Sequence, residues 1–151
     1  YVMKNNEEVK ILKKRENAIL PKRATEGSAG FDLYACLEEK LIIKSGERCK
    51  VPTGVACELN TEDFAGFVFA RSGLGVNHGI TLSNGVGVID SDYRGEIFVS
   101  LCNLSDEDYE IQPNDRIAQL IIMPVRLPNF EVVENLNQTS RNENGFGSTG
   151  K

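Results

Sequence analysis

Leu82-Ser-Asn-Gly-Val-Gly-Val-Ile-Asp-Ser-Asp-Tyr-Arg-Gly-Glu96 is the stretch around which the rest of the chain is read. Gly85 and Gly87 permit positive φ and let another group approach bare backbone. Val86, Val88 and Ile89 are β-branched and favour extended chain. Asp90-Ser91-Asp92 then supplies turn chemistry, and Tyr93 and Arg94 follow it. The pattern predicts a glycine-rich β-hairpin whose arms are residues 80–82 and 86–89, with a carboxylate at its lip and an aromatic ring beneath. A flat ligand fits against the N–H and C=O groups of such a hairpin, although on local chemistry alone it reads as an ordinary turn-rich hairpin.

The bulk properties narrow the setting. A chain of 151 residues is long enough for one domain with a real core and short for two. Hydrophobic residues make up 40% and charged residues 26%, the balance of a soluble globular protein. A net charge of −5 argues against a broad nucleic-acid-binding face, but a polyanion is still accessible where arginines are gathered locally or a divalent cation helps. No apolar run reaches membrane-spanning length and no secretory core is visible, so the expected setting is the cytoplasm, away from membranes. Cys36, Cys49, Cys57 and Cys102 form no C-x-x-C pair, and His78 is the one histidine, a poor set for zinc. Their apolar surroundings predict buried thiols in a reducing compartment. Met3 reads as a native start preceded by two extra residues.

Taken in order, the chain offers many short strands. Residues 4–8 are polar and loose in expectation. Residues 9–15 give the first strand signal, ending in Lys13-Lys14-Arg15, read as a solvated edge. Residues 21–30 are loop by composition. Residues 31–35, 41–43, 51–59, 64–70, 96–104 and 117–125 are strand candidates, and residues 130–133 are expected to close the core. Arg71 to His78 has room for one short helix. No internal repeat and no long helical periodicity exist, so the expected fold is all-β, an antiparallel barrel or jelly roll. The expected division is a β domain over residues 1–136 and a mobile tail over residues 137–151. That tail is rich in Asn, Ser, Thr and Gly, with Phe146 its one large apolar residue, a composition suited to a lid closing over a ligand.

Five places carry polar residues that a β fold does not itself require. Asp32 sits in the apolar stretch Ala29-Gly-Phe-Asp-Leu-Tyr-Ala35 and, taken alone, reads as a surface residue of a half-buried strand. Arg71-Ser72-Gly73-Leu74 ends a strand with a guanidinium, a hydroxyl and a free N–H, the donors a phosphate needs, or simply with a paired arginine. The hairpin with Asp90 and Tyr93 is the third place. Asn114-Asp-Arg-Ile-Ala-Gln119-Leu is the fourth, and residues 141–150 are the fifth. Gly145-Phe-Gly-Ser-Thr-Gly-Lys151 satisfies G-x-x-x-x-G-K but lacks the Ser or Thr after the lysine and the helix of a P-loop; its small residues can still wrap phosphates with backbone N–H groups.

In this order the five blocks resemble the trimeric dUTP diphosphatase (dUTPase) family, most closely its compact bacterial form. The matching pieces are AGFDLYA (29–35), RSGL (71–74), NGVGVIDSDYRGE (84–96), DRIAQL (115–120) and R-x-x-x-GFGSTG (141–150). The resemblance implies a jelly-roll homotrimer that hydrolyses dUTP to dUMP and diphosphate with Mg²⁺, at sites between subunits and with the tail given by a third chain. It implies Asp90 as general base, Tyr93 under the deoxyribose, and Asn84 with the backbone at Gly87 and Ile89 reading uracil. Arg71, Ser72, Gly73 and Gln119 would hold the phosphates. Asp32 would meet the metal through water, and Arg116 would be mostly structural. Arg141 would reach the γ-phosphate, Phe146 would cover the uracil, and Gly147, Ser148 and Thr149 would close over the phosphates.

This chain departs from the family pattern at Ala70, where proline is usual, and at Asn114, Asn142 and Asn144, where glycine is usual. Asparagine tolerates left-handed backbone, so those turns are expected to survive. Two other readings are weighed against this one, and the residues favour neither. A dCTP deaminase of the same fold needs a glutamate acting on the base near Arg71-Ser72, where this chain has Gly-Leu-Gly-Val-Asn. A non-catalytic nucleotide-binding trimer would be favoured by loss of Asp90 or the tail, and both are present. His78 reads as a surface residue near the Arg-Ser-Gly block.

Overall fold

A computed structural model describes residues 8–143, and the tail residues Asn144, Phe146, Gly147, Ser148 and Thr149 lie outside them. The expected short strands form. They are β1 (Lys10–Lys13), β2 (Phe31–Tyr34), β3 (Leu41–Ile43), β4 (Arg48–Pro52), β5 (Val55–Glu58), β6 (Phe64–Phe69), β7 (Ile80–Leu82), β8 (Gly87–Ile89), β9 (Phe98–Asn103), β10 (Tyr109–Ile111) and β11 (Arg116–Pro124). One helix, α1 (Ser72–His78), lies between β6 and β7, where the sequence left room for it.

The strands are antiparallel and divide among sheets that do not close into a barrel. A four-stranded sheet runs β2-β11-β6-β8, a three-stranded sheet runs β4-β9-β7, and β1-β5 and β3-β10 are pairs. Their inward side chains make one core: Leu33, Val68, Ile89 and Leu120 from the four-stranded sheet meet Val51, Ile80, Leu82, Val99 and Leu101 from the other. Period-two alternation is the cause, as in β9, where Val99, Leu101 and Asn103 point inward and Phe98, Ser100 and Cys102 point out. The architecture is jelly-roll-like.

Three expectations need correction. Residues 130–133 do not close the core: Phe130 and Val132 are each 98% exposed, in an extended segment with no strand partner among the described residues. Apolar composition predicts burial, but not within which chain the burial occurs. Only Cys36 and Cys57 are fully buried; Cys49 and Cys102 are half-buried, and all four are free thiols. Burial pushes the Cys36, Cys49 and Cys57 thiols above the usual cysteine range. Finally, Arg15 is no mere solvated edge, because its guanidinium donates to Glu96 at 2.7 and 3.2 Å.

Asn103 is the polar residue on which the core depends. It is wholly buried, and its amide donates to the carbonyls of Ile43 (3.0 Å) and Glu107 (2.7 Å). Its oxygen accepts from Ser105 N (3.0 Å) and Ser105 Oγ (2.7 Å), so one side chain ties β9 to β3 and to the turn before β10. Replacing Asn103 with Ala strands these partners, and the expected loss is about 2–4 kcal/mol of unfolding free energy, read from urea denaturation.

Candidate active site

Asp32 points outward from β2 and meets two arginines. Arg71 Nε approaches Asp32 Oδ1 at 3.3 Å and Arg116 Nη1 approaches Asp32 Oδ2 at 3.3 Å. The Asp32 side chain is 14% exposed, so it is not the free surface carboxylate its sequence context allows, and Arg116 pairs with it as a structural partner. Arg71 also donates from Nη1 to the Arg116 carbonyl at 3.0 Å, which fixes the plane of its guanidinium. Arg71 commits Nε and Nη1 and Arg116 commits Nη1 to these contacts, so of the five N–H donors on each guanidinium several remain for a further anion.

Around this cluster lies a cavity of about 310 Å³ lined by Asp32, Arg71, Ser72, Gly73, Arg116, Gln119 and the 24–30 loop. Three of the five sequence blocks meet here. Cross-strand register explains it, because Asp32 pairs with Gln119 and Gln119 pairs with Phe69, two residues before Arg71. Arg71 then caps α1 in extended conformation with no side-chain cap bond, and the N–H groups of Ser72 and Gly73 in its first turn have no intrahelical acceptor. Gln119 donates Nε2 to the Ala70 carbonyl at 3.0 Å. The loop wall was not anticipated: Ser28 lines the cavity with its hydroxyl 2.9 Å from that of Thr25. Its Gly-Ser-Ala-Gly composition was the available signal.

Asn84, Gly87, Ile89, Asp90 and Tyr93 form a second group apart from that cavity. The predicted hairpin is not a bonded one. Its first arm, β7, pairs with β9, and its second, β8, pairs with β6, so the arms enter different sheets. Each is an edge strand, and the four residues joining them hold the arms close while their facing N–H and C=O groups stay unpaired with one another. Gly85 takes φ +72 and requires its glycine for that reason. Gly87 has no positive φ; a Cβ there would sit 3.1 Å from Val68 Cβ, so close approach explains it.

The 90–94 turn is held by its own backbone. Tyr93 N donates to the Asp90 carbonyl at 3.1 Å, and Arg94 Nη1 donates to the Ser91 carbonyl at 2.7 Å. Asp90 is exposed at the end of β8. Three strand spacings and about four residues of rise separate it from Asp32, roughly 20 Å by sheet geometry. Within one chain, then, the phosphate-type donors and the Asp90 carboxylate do not face a common point. Arg141 lies in the exposed 137–143 segment, where Thr139 N donates to Asn142 Oδ1 at 2.8 Å. Asn114 and Asn142 take positive φ, 70° and 42°, as their place in the pattern required.

The dUTPase family model matches residues 16–150. The chain belongs to the dUTPase family. It is 49% identical over 143 residues to the deoxyuridine 5'-triphosphate nucleotidohydrolase of Neisseria meningitidis serogroup B, covering 95% of each. Its fold matches the Staphylococcus bacteriophage 80alpha dUTPase with dUPNHPP at a TM-score of 0.85, 25% identity, 95% of this chain and 99% of that one. A dUTPase mutant of phage phi11 of S. aureus, described with a structural Mg(II) ion, gives 0.76 at 23% identity, 85% of this chain and 97% of that one.

Within this dUTPase fold Gly30 sets where Gln119 sits. A Cβ at Gly30 would lie 2.6 Å from Gln119 Oε1 and 3.3 Å from its Cδ, so the amide must move. Gly30→Ala is therefore expected to lower kcat/KM for dUTP roughly 10- to 100-fold, the scale of a misplaced positioning group, with only a small loss of melting temperature from the 3.2 Å approach to Gln119 Cβ.

Proposed function

We propose that this chain is a dUTP diphosphatase, hydrolysing dUTP to dUMP and diphosphate in the cytoplasm, which limits dUTP and supplies dUMP for dTMP synthesis. The observation that carries the reading is the Asp32–Arg71–Gln119 cavity, a compact donor set for a triphosphate, in a chain whose relatives are named for this activity. The unpaired inner edges of β7 and β8 suit uracil, whose ring edge alternates acceptors and a donor. Cytosine presents the wrong pattern there and leaves buried groups unpaired, a strong basis for rejection. Asn84, Gly87 and Ile89 supply that edge, and Tyr93 beneath the deoxyribose leaves no room for a 2′-hydroxyl.

Asp90 takes a proton from a water as its oxygen attacks the α-phosphorus, and the bond to the α–β bridging oxygen breaks to release diphosphate. Arg71, Ser72, Gly73 and Gln119 bind the phosphate chain and neutralise charge as it shifts. Arg141, Phe146, Gly147, Ser148 and Thr149 complete the enclosure from the tail and keep water out.

Mg²⁺ suits the donor set only in an indirect way. Asp32 is already engaged by two guanidiniums, and no group of three or more metal-binding side chains occurs among the described residues. An ion carried on phosphate oxygens and water, with Asp32 touching its water shell, agrees with that chemistry. When bound it neutralises phosphate charge.

The separation of Asp90 and Asp32 supports a homotrimer with sites between subunits. Two surfaces support it. Val88, Phe67, Phe69 and Ile121 form an apolar outer face on the four-stranded sheet, continuous in register with Gln119 and Asp32. The 125–136 segment adds Leu127, Phe130, Val132 and Leu136, all more than 70% exposed, which a second copy would cover.

The test is diphosphate release from dUTP, dCTP, dTTP and UTP with Mg²⁺, wild type beside Asp90→Asn. The expected result is release from dUTP alone, reduced about 10²- to 10⁴-fold in the variant. Ammonia release from dCTP would move the chain to the deaminase branch, and binding of dUTP without turnover would make it a sensor.

A further inference from the structure

Tyr93 lies over a surface that only glycine provides. A Cβ on Gly95 would come within 2.5 Å of Tyr93 Cζ and 2.9 Å of Cε2. Gly95 does not need its glycine for backbone reasons, because it has no positive φ. Its missing side chain is instead the seat of the Tyr93 ring. The ring is then pinned at its far end, where Tyr93 Oη donates to the Glu96 carbonyl at 3.0 Å.

Glu96 is itself held firmly. Its side chain is 13% exposed, it accepts from Arg15 Nε at 2.7 Å and from Gly54 N at 2.8 Å, and the next residue, Ile97, donates N–H to the Val55 carbonyl at 2.8 Å. The aromatic ring is therefore tied through Glu96 to the loop between β4 and β5 and to the residues after β1. Tyr93 has two χ angles, and both the seat and the pin act on the same ring, which leaves it little room to swing.

We propose that Gly95 and Glu96 are positioning residues that hold the Tyr93 ring at one height, and that they thereby set discrimination between deoxyuridine and uridine triphosphates. The inference rests on the sugar-contact role given to Tyr93 above. A ring held against Gly95 and the Glu96 carbonyl cannot yield to a 2′-hydroxyl. A ring displaced by a methyl group at position 95, or freed at its hydroxyl, can. The displaced atoms are the outer end of a single side chain at the surface, so the fold itself is not strained.

The experiment measures kcat/KM for dUTP and UTP, with melting temperatures, for wild type, Gly95→Ala, Tyr93→Phe, Tyr93→Ala and the Gly95→Ala/Tyr93→Ala pair. The expected result is a dUTP:UTP ratio lowered about 10-fold or more in Gly95→Ala and severalfold in Tyr93→Phe, with little change in melting temperature. Gly95→Ala should add nothing in the Tyr93→Ala background, which a general structural lesion would not reproduce. A wild-type ratio in Gly95→Ala beside a lost ratio in Tyr93→Ala overturns the inference and leaves the sugar contact standing. A wild-type ratio in Tyr93→Ala removes the sugar contact and the inference together. Should Gly95→Ala fail to fold, an unchanged ratio in Tyr93→Phe overturns the pinning.

Discussion

The carboxylate of Asp32 lies between the guanidiniums of Arg71 and Arg116, and this three-way contact joins the edge strand β2, the end of β6 and the start of β11. As a contribution to stability it is modest, since both arginines reach solvent and each contact is 3.3 Å long. Its consequence is positional. One negative charge holds two positive ones, leaving a local excess of one, and the remaining N–H donors face a cavity in a chain whose overall charge is −5. An acidic protein can bind a triphosphate by this means, because the attraction is concentrated at a few donors rather than spread over a face.

The sheet geometry has the opposite effect on Asp90, the proposed base. β8 and β2 are the two edges of one four-stranded sheet, so the cleft between β7 and β8 and the cavity at Asp32 sit at opposite margins. A closed barrel would have joined those margins; open sheets leave them for a neighbour. The same openness accounts for the half-exposed Phe67, Phe69 and Ile121, and for the extended apolar segment beyond β11. In the proposed trimer, assembly and catalysis share one cause.

The sequence was most informative where chemistry is local. Asn114 and Asn142 take the left-handed backbone that their replacement of glycine implied, and Arg71-Ser72-Gly73 stands at a strand-to-helix junction with open N–H groups, as its residue types suggested. It was least informative where partners are distant. Glycine and β-branched content identified the 82–96 stretch, but could not tell that its arms join different sheets, because each arm's register depends on β6 and β9. Hydrophobicity marked residues 130–133 as buried without saying by what. Asn103 and Glu96 gave no local sign of their roles, since each acts through residues more than forty positions away, Ile43 and Arg15 respectively.

The central claim is that Asp90 of one copy serves the Asp32–Arg71 cavity of another, and subunit complementation tests it most directly. Asp90→Asn and Arg71→Ala chains, each inactive alone, are unfolded together at equal concentration, refolded, and assayed for diphosphate release from dUTP, with mixed assembly verified by distinct affinity tags. Random assembly of a cyclic trimer places an intact hairpin against an intact cavity in about one quarter of sites, so the mixture should recover about 25% of wild-type activity. Activity no greater than the sum of the two variants, in verified mixed oligomers, would place the whole site within one chain and contradict the account.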